Sequence, residues 1–572
     1  MVNTPAKYLA FLTRSQKKRL YGVFALILLG ALCESASLAL VLPYMDFLQT
    51  STAAENILFI PALLATLVLL GVLLGRMFMQ LFVSRVITNF AYTVGENHSK
   101  RLFKRYLSMD YQKFIHKSST TLVKNCTHTM DQAAQGLLLF LQFASAASVV
   151  IGLTIVLLLD NASATLMIAT SLICTGIPIY KYFKQKQRTA GKDRDVILGH
   201  LGKLTTEAFQ CFKEIHLYDK RSYFTGRFAD KAKQLKKANT DSTFYPLLPG
   251  PCIEAMALAA LLGVILWFVW NNLSLQQLVP QLIFYGVIGR RLLPSLHQSI
   301  YFGMALQKLQ PCMELAHDEY AETEERTNPI ATPSSFREGL TFHQISFAYQ
   351  AAKPTLQDIS FTLQRNHSVA LVGPSGAGKS TAVEILSSLL QPDQGHFIVD
   401  GQIASDLSSL RHQIGYVPQR VNLIDDTLEN NIAFGEETID TTRLQKAIEM
   451  AHLKEFLSQL PQGLKTTIGE RGVKLSGGQR QRVGIARALY FDPKIIIFDE
   501  ATASLDTISE QIITENIQEI AGKKTILAIA HRISTIKNFD KIYVFHEGCI
   551  ISSGTHQQLL NTCALYQAMN NE

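Results

Sequence analysis

No two of the eight cysteines stand in a C-x-x-C pair; positions 33, 126, 174, 211, 252, 312, 549 and 563 are scattered along the chain. That scatter gives neither a zinc-ribbon pattern nor a disulfide framework, so the thiols are expected to be reduced and structural. The chain also lacks an internal repeat of solenoid period and a low-complexity tail. Apolar runs long enough to cross a bilayer are missing after residue 338, yet several occur between residues 20 and 305. The 572 residues therefore divide by character. A membrane half comes first, and a soluble α/β half with short strands and polar helices follows.

A formal net charge of +8 raises nucleic acid as a partner. The Lys and Arg residues of the first half, however, lie mainly between apolar runs, where a membrane accounts for them, and nucleic-acid binding is not expected. Lys17, Lys18 and Arg19 before an apolar run ending in Ser35, Ala36 and Ser37 imitate a secretory signal. The apolar stretch resumes at Leu38 and continues to Leu48, too long for such a signal, so cleavage is not expected. Leu32, which is not small, directly precedes Cys33 and speaks against a lipoprotein site.

Six spans are expected at about residues 20–47, 57–88, 133–159, 162–184, 245–270 and 277–304. The connections 48–56, 160–161 and 271–276 contain no Lys or Arg, whereas the inward segments, span ends included, carry Lys100, Arg101, Lys104, Arg105, Lys181, Lys184, Lys186, Lys220 and Arg221. By the positive-inside rule both termini are cytoplasmic. Both tryptophans, Trp267 and Trp270, fall where the fifth span meets the outer interface. The inward connections 89–132 and 185–244 are long, so the helices should run on into the cytoplasm. Their tips, near Tyr111 to Phe114 and Lys213 to Tyr218, are then placed to dock on the soluble half. Residues 316–338 are acidic and then rich in Pro and Ser, a linker. The expected domains are 1–315, a six-helix transmembrane domain with cytoplasmic extensions; 316–338, the linker; and 339–572, an α/β nucleotide-binding domain.

The segment SVALVGPSGAGKST carries an apolar run followed by Gly373, Pro374, Ser375, Gly376, Ala377, Gly378, Lys379, Ser380 and Thr381, a P-loop pattern after a strand. Glycines let successive backbone N–H groups close on phosphate oxygens, and the helix start adds a favourable dipole. Lys379 meets the β/γ-phosphates of ATP and Ser380 ligates Mg2+. In LYFDPKIIIFDE, Ile495 to Phe498 read as a buried parallel strand delivering Asp499 and Glu500 to its carboxyl end. Asp499 is expected in the magnesium shell and Glu500 as general base on the attacking water.

The run LSGGQRQR, Leu475 to Arg482, resembles the signature of ATP-binding-cassette (ABC) proteins. The resemblance implies that Ser476, Gly477, Gly478 and Gln479 bind nucleotide held by the P-loop of a second cassette, so hydrolysis takes two chains. It likewise implies an adenine-stacking role for Tyr349, for which a packed strand tyrosine is the lesser alternative. Gln419 in YVPQ is similar to the loop glutamine that contacts magnesium and the membrane domain, Asp506 in SLD to the cross-subunit aspartate, and His531 in AHR to the switch histidine that reaches the γ-phosphate. ATASLD differs from the commoner ATSALD by a Ser/Ala exchange that leaves Asp506 in place. Since no catalytic position is degenerate, a homodimer with two competent sites is expected. Gly469 to Gly472, GERG, resembles a loop that marks exporters, as does fusion of six spans ahead of the cassette. The implied fold is that of a type IV ABC exporter.

Charges inside spans point to the substrate, because burying them in lipid is costly. Arg290 and Arg291 lie about 20 Å inward of the sixth span's outer end, and Glu254 about 24 Å inward of Trp270. An ion pair of Glu254 with one arginine is expected. Adjacent helical residues point some 100° apart, so the other arginine would face the cavity and receive an anionic group such as a phosphate. Glu34 is either a cavity acid or a packing residue. Glu34, its small neighbours and Pro43, with GRRLLPS, are similar to bacterial lipid-linked oligosaccharide flippases. A flipped lipid-linked or amphipathic substrate in the bacterial cytoplasmic (inner) membrane is the leading expectation. Export of a mature peptide or a hydrophobic drug is the nearest alternative; about 20 residues precede the first span, so no amino-terminal peptidase domain is expected. A non-transporting regulatory ATPase would predict degenerate ATP residues or a basic groove, and neither is seen.

Overall fold

The computed structural model describes residues 12–41, 43–45, 47, 59–160, 162–270, 275–322, 336–350, 353–469, 472–501, 507–530 and 532–571. They form two compact units. One takes the described residues up to Met109 and from His116 to Glu322; the other takes Asp110–Ile115 together with the described residues from Phe336 onward.

The first unit is helical: α1 (Arg14–Ala39), α2 (Phe59–Leu107), α4 (Ser119–Lys124), α5 (Met130–Asp160), α6 (Ala162–Gln210), α7 (Phe212–Leu217), α8 (Arg221–Phe244), α9 (Pro249–Trp270) and α10 (Leu275–Glu322). The short α3 (Tyr111–Ile115) belongs to the other unit. Among the described residues, three helices, within Arg14–Met45, Ile60–Leu107 and Ser119–Asp160, are long and apolar enough to cross a membrane. At 49 residues each, α2 and α6 reach about 73 Å, more than twice a bilayer's hydrocarbon thickness. Both continue well past the predicted span limits at residues 88 and 184.

Leu20, Val23 and Ile27 of α1, Val83, Ile87 and Val94 of α2, and Ala133, Leu137 and Leu141 of α5 share one buried cluster at helical spacing. Small residues let the axes close up. A Cβ on Gly95 of α2 would lie 2.5 Å from the Cβ of Ala134 on α5. Farther along, Tyr106 and Lys117 both donate to Glu319 of α10 at 2.8 Å, and Arg105 donates to the Tyr320 carbonyl at 2.7 Å. These bonds tie the polar ends of α2 and α10 together, with the chain on either side of α3 fastened to Glu319.

The second unit is built on two sheets. Strands β1 (Gly339–Phe347), β2 (Leu356–Gln364), β4 (Gln394–Val399) and β5 (Gln402–Ala404) form an antiparallel sheet of order β2-β1-β4-β5. Strands β3 (Ser368–Val372), β6 (Ile414–Val417), β7 (Ile495–Asp499), β8 (Thr525–Ile529), β9 (Lys541–His546) and β10 (Cys549–Gly554) form a sheet of order β10-β9-β3-β8-β7-β6. All its pairs are parallel except β10 with β9. The parallel strands are apolar throughout because both faces are covered. Ala370 and Val372 of β3 point into a core shared with helices, whereas Val369 and Leu371 point into the core shared with the antiparallel sheet. Helices α11 (Lys379–Leu386), α12 (Thr441–Met450) and α13 (Gly477–Tyr490) complete the parts that matter for the site.

Candidate functional site

Three parallel strands converge on one end of the sheet. From β3 the chain turns through Gly373, at φ +148°, to Gly378, at φ +99°, and then enters α11. A side chain on Gly373 would place its Cβ 2.1 Å from the Phe545 carbonyl, and one on Gly378 would meet Leu356 at 2.6 Å. Only glycine satisfies both the positive φ and the close approach. Pro374, Ser375 and Gly376 form an exposed crest ahead of α11, to which Ser375 and Gly376 bring backbone N–H groups and Ser375 a hydroxyl. Lys379 is buried, and its Nζ donates to the carbonyls of Gly373 at 2.7 Å and Pro374 at 2.9 Å. Burial lowers its pKa, against the pull of Glu500 and Asp499.

Strand β7 ends in Asp499, and Glu500 follows it. Burial raises the Asp499 pKa above the ordinary carboxylate value, with Glu500 adding to the effect, although Tyr416 donates its hydroxyl to Oδ2 at 2.8 Å. Glu500 sits at φ +50°, a left-handed conformation uncommon for a residue with a long side chain, held by its N–H to the Ile529 carbonyl at 3.1 Å. That kink presents its carboxylate to Gln419, whose Nε2 donates to Oε2 at 2.5 Å. The structure thus brings together Lys379, Asp499, Glu500 and Gln419. Ser380 follows Lys379 on the exposed side of α11, and Thr381 is buried.

The signature run opens α13 with a reciprocal cap: Gln479 N–H donates to Ser476 Oγ at 3.2 Å and Ser476 N–H to Gln479 Oε1 at 2.8 Å. Ser476 and Gly477 are exposed, so this helix start is open to a ligand from outside. Gln481, one turn on, donates to the Pro418 carbonyl at 3.1 Å and ties α13 to the loop that carries Gln419. Tyr349, just after β1, stands edge-on to Phe347 at 5.0 Å and donates to Glu384 Oε2 at 2.6 Å. Asp506 and His531 lie outside the described residues.

A magnesium ion fits the donor set. Ser380 hydroxyl, Gln419 amide oxygen and Asp499 carboxylate are hard oxygen ligands, with no thiolate or imidazole among them. Among the described residues, no cluster of three or more His, Cys, Asp or Glu offers a separate metal site. Reading the sequence missed Tyr416 and Glu384. The parallel register that sets Tyr416 beside Ile497 on β7 leaves no local signal in the sequence; Glu384 had only its helical spacing from Lys379.

In the helical unit Arg291 of α10 pairs with Glu34 of α1, and Glu34 is only 4% exposed. The expected pair with Glu254 does not form. Glu254 and Arg290 are both exposed, and neither takes part in an ion pair among the described residues. Depth along a span had matched Glu254 to the arginines, but rotation about the helix axis turns it elsewhere. The Glu34–Arg291 pair borders a cavity of about 170 Å³ that Arg76, Gln80, Gln142 and Gln298 also line. A larger cavity, about 1550 Å³, opens between α5, α6 and α10. Lys181, Lys184, Arg188 and Lys192 reach it from α6 at steps of three and four residues, one helix face. Phe140, Phe143 and Leu306 supply apolar lining.

Residues 22–290 match the ABC transporter transmembrane region, and residues 356–503 match the ABC transporter family. The chain is 30% identical over 537 residues to an ATP-dependent lipid A-core flippase of Nitrosococcus oceani, covering 93% of this chain and 89% of that one. It is 32% identical over 506 residues to the protein of the same name from Coxiella burnetii, covering 85% and 82%. Its fold is similar to that of a bacterial Atm1-family ABC exporter solved with ATP bound, at a TM-score of 0.81 and 24% identity over 97% of each chain.

Proposed function

The chain belongs to the ABC transporter family, as an exporter half in which a six-helix membrane domain precedes an ATPase that powers transport, and from that premise we propose that it flips a lipid with an anionic headgroup across a bacterial inner membrane as a homodimer. The observation that carries this reading is the pairing of apolar lining with Lys181, Lys184 and Lys192 of one α6 face in a cavity of about 1550 Å³, beside Arg188, which Glu314 of the same lining holds. Such a chamber suits a molecule with acyl chains at one end and phosphate or carboxylate at the other. Relatives named lipid A-core flippases support the same class. Both termini are cytoplasmic, in line with the distribution of Lys and Arg between the spans.

Each ATP would lie between the P-loop of one chain and Ser476–Gly478 of its partner, stacked on Tyr349. Lys379 would leave its loop carbonyls for the β/γ-phosphates, and Glu500 would take the proton of the attacking water. Bound magnesium, held by Ser380, Gln419 and Asp499, would neutralise charge developing on the phosphates. His531 would reach the γ-phosphate, and Asp506 would answer the partner. In the membrane half, Arg290 would meet the anionic headgroup as the cavity turns outward, while Arg291 is held by Glu34.

Reconstituted vesicles decide the substrate class. ATP-driven translocation of labelled lipid A-core, with labelled peptide and hydrophobic dye left behind, is the expected result. Dye or peptide transport without lipid translocation would replace this reading.

A further inference from the structure

Glu384 has no place in the phosphate chemistry, yet both oxygens of its carboxylate are engaged. It lies on α11 five residues after Lys379, so the helix that starts the phosphate cradle also carries this acid. Oε2 accepts from Tyr349 at 2.6 Å, and Oε1 accepts from Tyr111 at 3.3 Å. Tyr349 also lies 3.4 Å from the Thr381 hydroxyl, one turn before Glu384 on the same helix. Tyr111 comes from α3, the segment that the chain sends out of its helical half into the ATPase unit. Both tyrosine rings pack against the core shared by β3 and the antiparallel sheet.

We propose that Glu384 is a positioning residue that ties the seating of α3 to occupancy of the adenine site. The inference rests on Tyr349 being the adenine platform. A tyrosine that stacks on a base must hold its ring at a fixed angle, and here the hydroxyl bond to Oε2 sets that angle. The other oxygen of the same carboxylate holds α3. Adenine that steadies the Tyr349 ring therefore steadies the carboxylate, and through it Tyr111; a displaced α3 loosens the ring in turn. The linkage is reciprocal, as any coupling between two binding events must be. Burial raises the pKa of both tyrosines, with the Glu384 charge adding to it, so both hydroxyls remain donors at neutral pH.

The test uses the full-length protein in lipid nanodiscs. Affinity for trinitrophenyl-ATP is measured together with hydrogen exchange of residues 108–117, with and without ATP. In the unaltered protein, ATP is expected to slow exchange in that segment. Tyr111→Phe, which leaves the P-loop and signature untouched, is expected to weaken nucleotide affinity about 2–10-fold, the effect of one hydrogen bond, and to remove the protection. In a Glu384→Ala background the same Tyr111→Phe change is expected to do nothing further. Glu384→Gln keeps the shape and one acceptor oxygen; it is expected to bind nucleotide within about 10-fold of normal while losing protection of the segment, and it serves if the Ala variant does not fold. Protection that persists in both Glu384 variants would overturn the tether, as would an undiminished Tyr111→Phe effect without Glu384. Tyr349→Ala tells the two failures apart: unchanged nucleotide affinity there would remove the adenine platform and the proposal with it.

Discussion

The Nε2 of Gln419 lies 2.5 Å from Oε2 of Glu500, so the amide that the sequence associates with magnesium is bonded to the expected general base. A carboxylate engaged in this way is aimed before the water arrives, and its left-handed backbone leaves it few other directions. Glu500→Gln preserves the shape and removes the proton acceptor. Hydrolysis is expected to fall by about 10²–10⁴-fold while ATP binding persists, giving a trapped closed state. Phosphate release and retention of labelled ATP check this; normal release would take the base role from Glu500.

Glu34 and Arg291 form an ion pair in which the acid is almost wholly buried. Removing one partner leaves an uncompensated charge, which costs about 3–5 kcal/mol in buried settings, whereas removing both costs much less. Arg291→Met is therefore expected to lower the folded yield and melting temperature more than Glu34→Gln with Arg291→Met together. Thermal unfolding in detergent reads the comparison. Arg290→Ala, at an exposed position, is expected to keep the melting temperature and to weaken stimulation of ATPase by anionic lipid.

The chemistry-bearing half of the site was legible because phosphate binding restricts the residue types: glycines at positive φ, a lysine at the helix start, two acids at a buried strand's end. Gly373, Lys379, Asp499 and Glu500 are the cases in point. Tyr416 was not legible, since its tie to Asp499 comes from strands β6 and β7 lying side by side, and pairing of strands far apart in sequence leaves no local mark. The Glu254 expectation failed for a similar reason. Residue count gives depth along a helix at 1.5 Å per residue, but not which neighbour the helix turns toward, and that neighbour was Glu34 on α1. The long helices were legible from polar connections too large for simple loops.

Lys184 and Lys192 face the large cavity from α6. Near an anionic surface each cation contributes about 1 kcal/mol, or roughly fivefold in affinity. Lys184→Gln and Lys192→Gln are each expected to raise the concentration of anionic lipid giving half-maximal ATPase stimulation about fivefold, with the basal rate retained. The shift should shrink as salt rises, because exposed charges are screened. Equal stimulation in all variants, measured in vesicles of defined lipid composition, would remove these lysines from headgroup binding.

Asp400 accepts N–H bonds from Arg337 at 2.9 Å and from Glu338 at 2.7 Å and Gly339 at 3.1 Å, closing the turn after β4 over the entry to β1. Burial opposes ionisation, but the three backbone donors prevail and hold its pKa below the ordinary 3.8. A carboxyl with a depressed folded-state value adds stability above the unfolded pKa and loses it as pH falls through the folded one. The contribution should therefore be present at neutral pH and disappear only below about pH 4. Asp400→Ala is expected to lower the melting temperature of the nucleotide-binding unit at pH 7 and to have little effect at pH 3, as read by calorimetry.

Ser476 opens α13 on an exposed surface, while Lys379 is buried in its own P-loop, so the two phosphate grips face different surroundings. If each ATP is held by the P-loop of one chain and the signature of the other, defects in the two elements should complement. Lys379→Ala and Ser476→Arg homodimers are each expected to be inactive, since both of their sites carry the fault. In a mixed dimer, one site combines the two faults and the other combines an intact P-loop with an intact signature. Differently tagged chains purified through both tags should thus recover roughly half of normal hydrolysis, by one intact site in two. A single chain that completed its own site would give no recovery on mixing. The arrangement across two copies predicts recovery only in the doubly tagged fraction, and disappearance of that recovery when both faults are placed on the same chain and paired with Glu500→Gln.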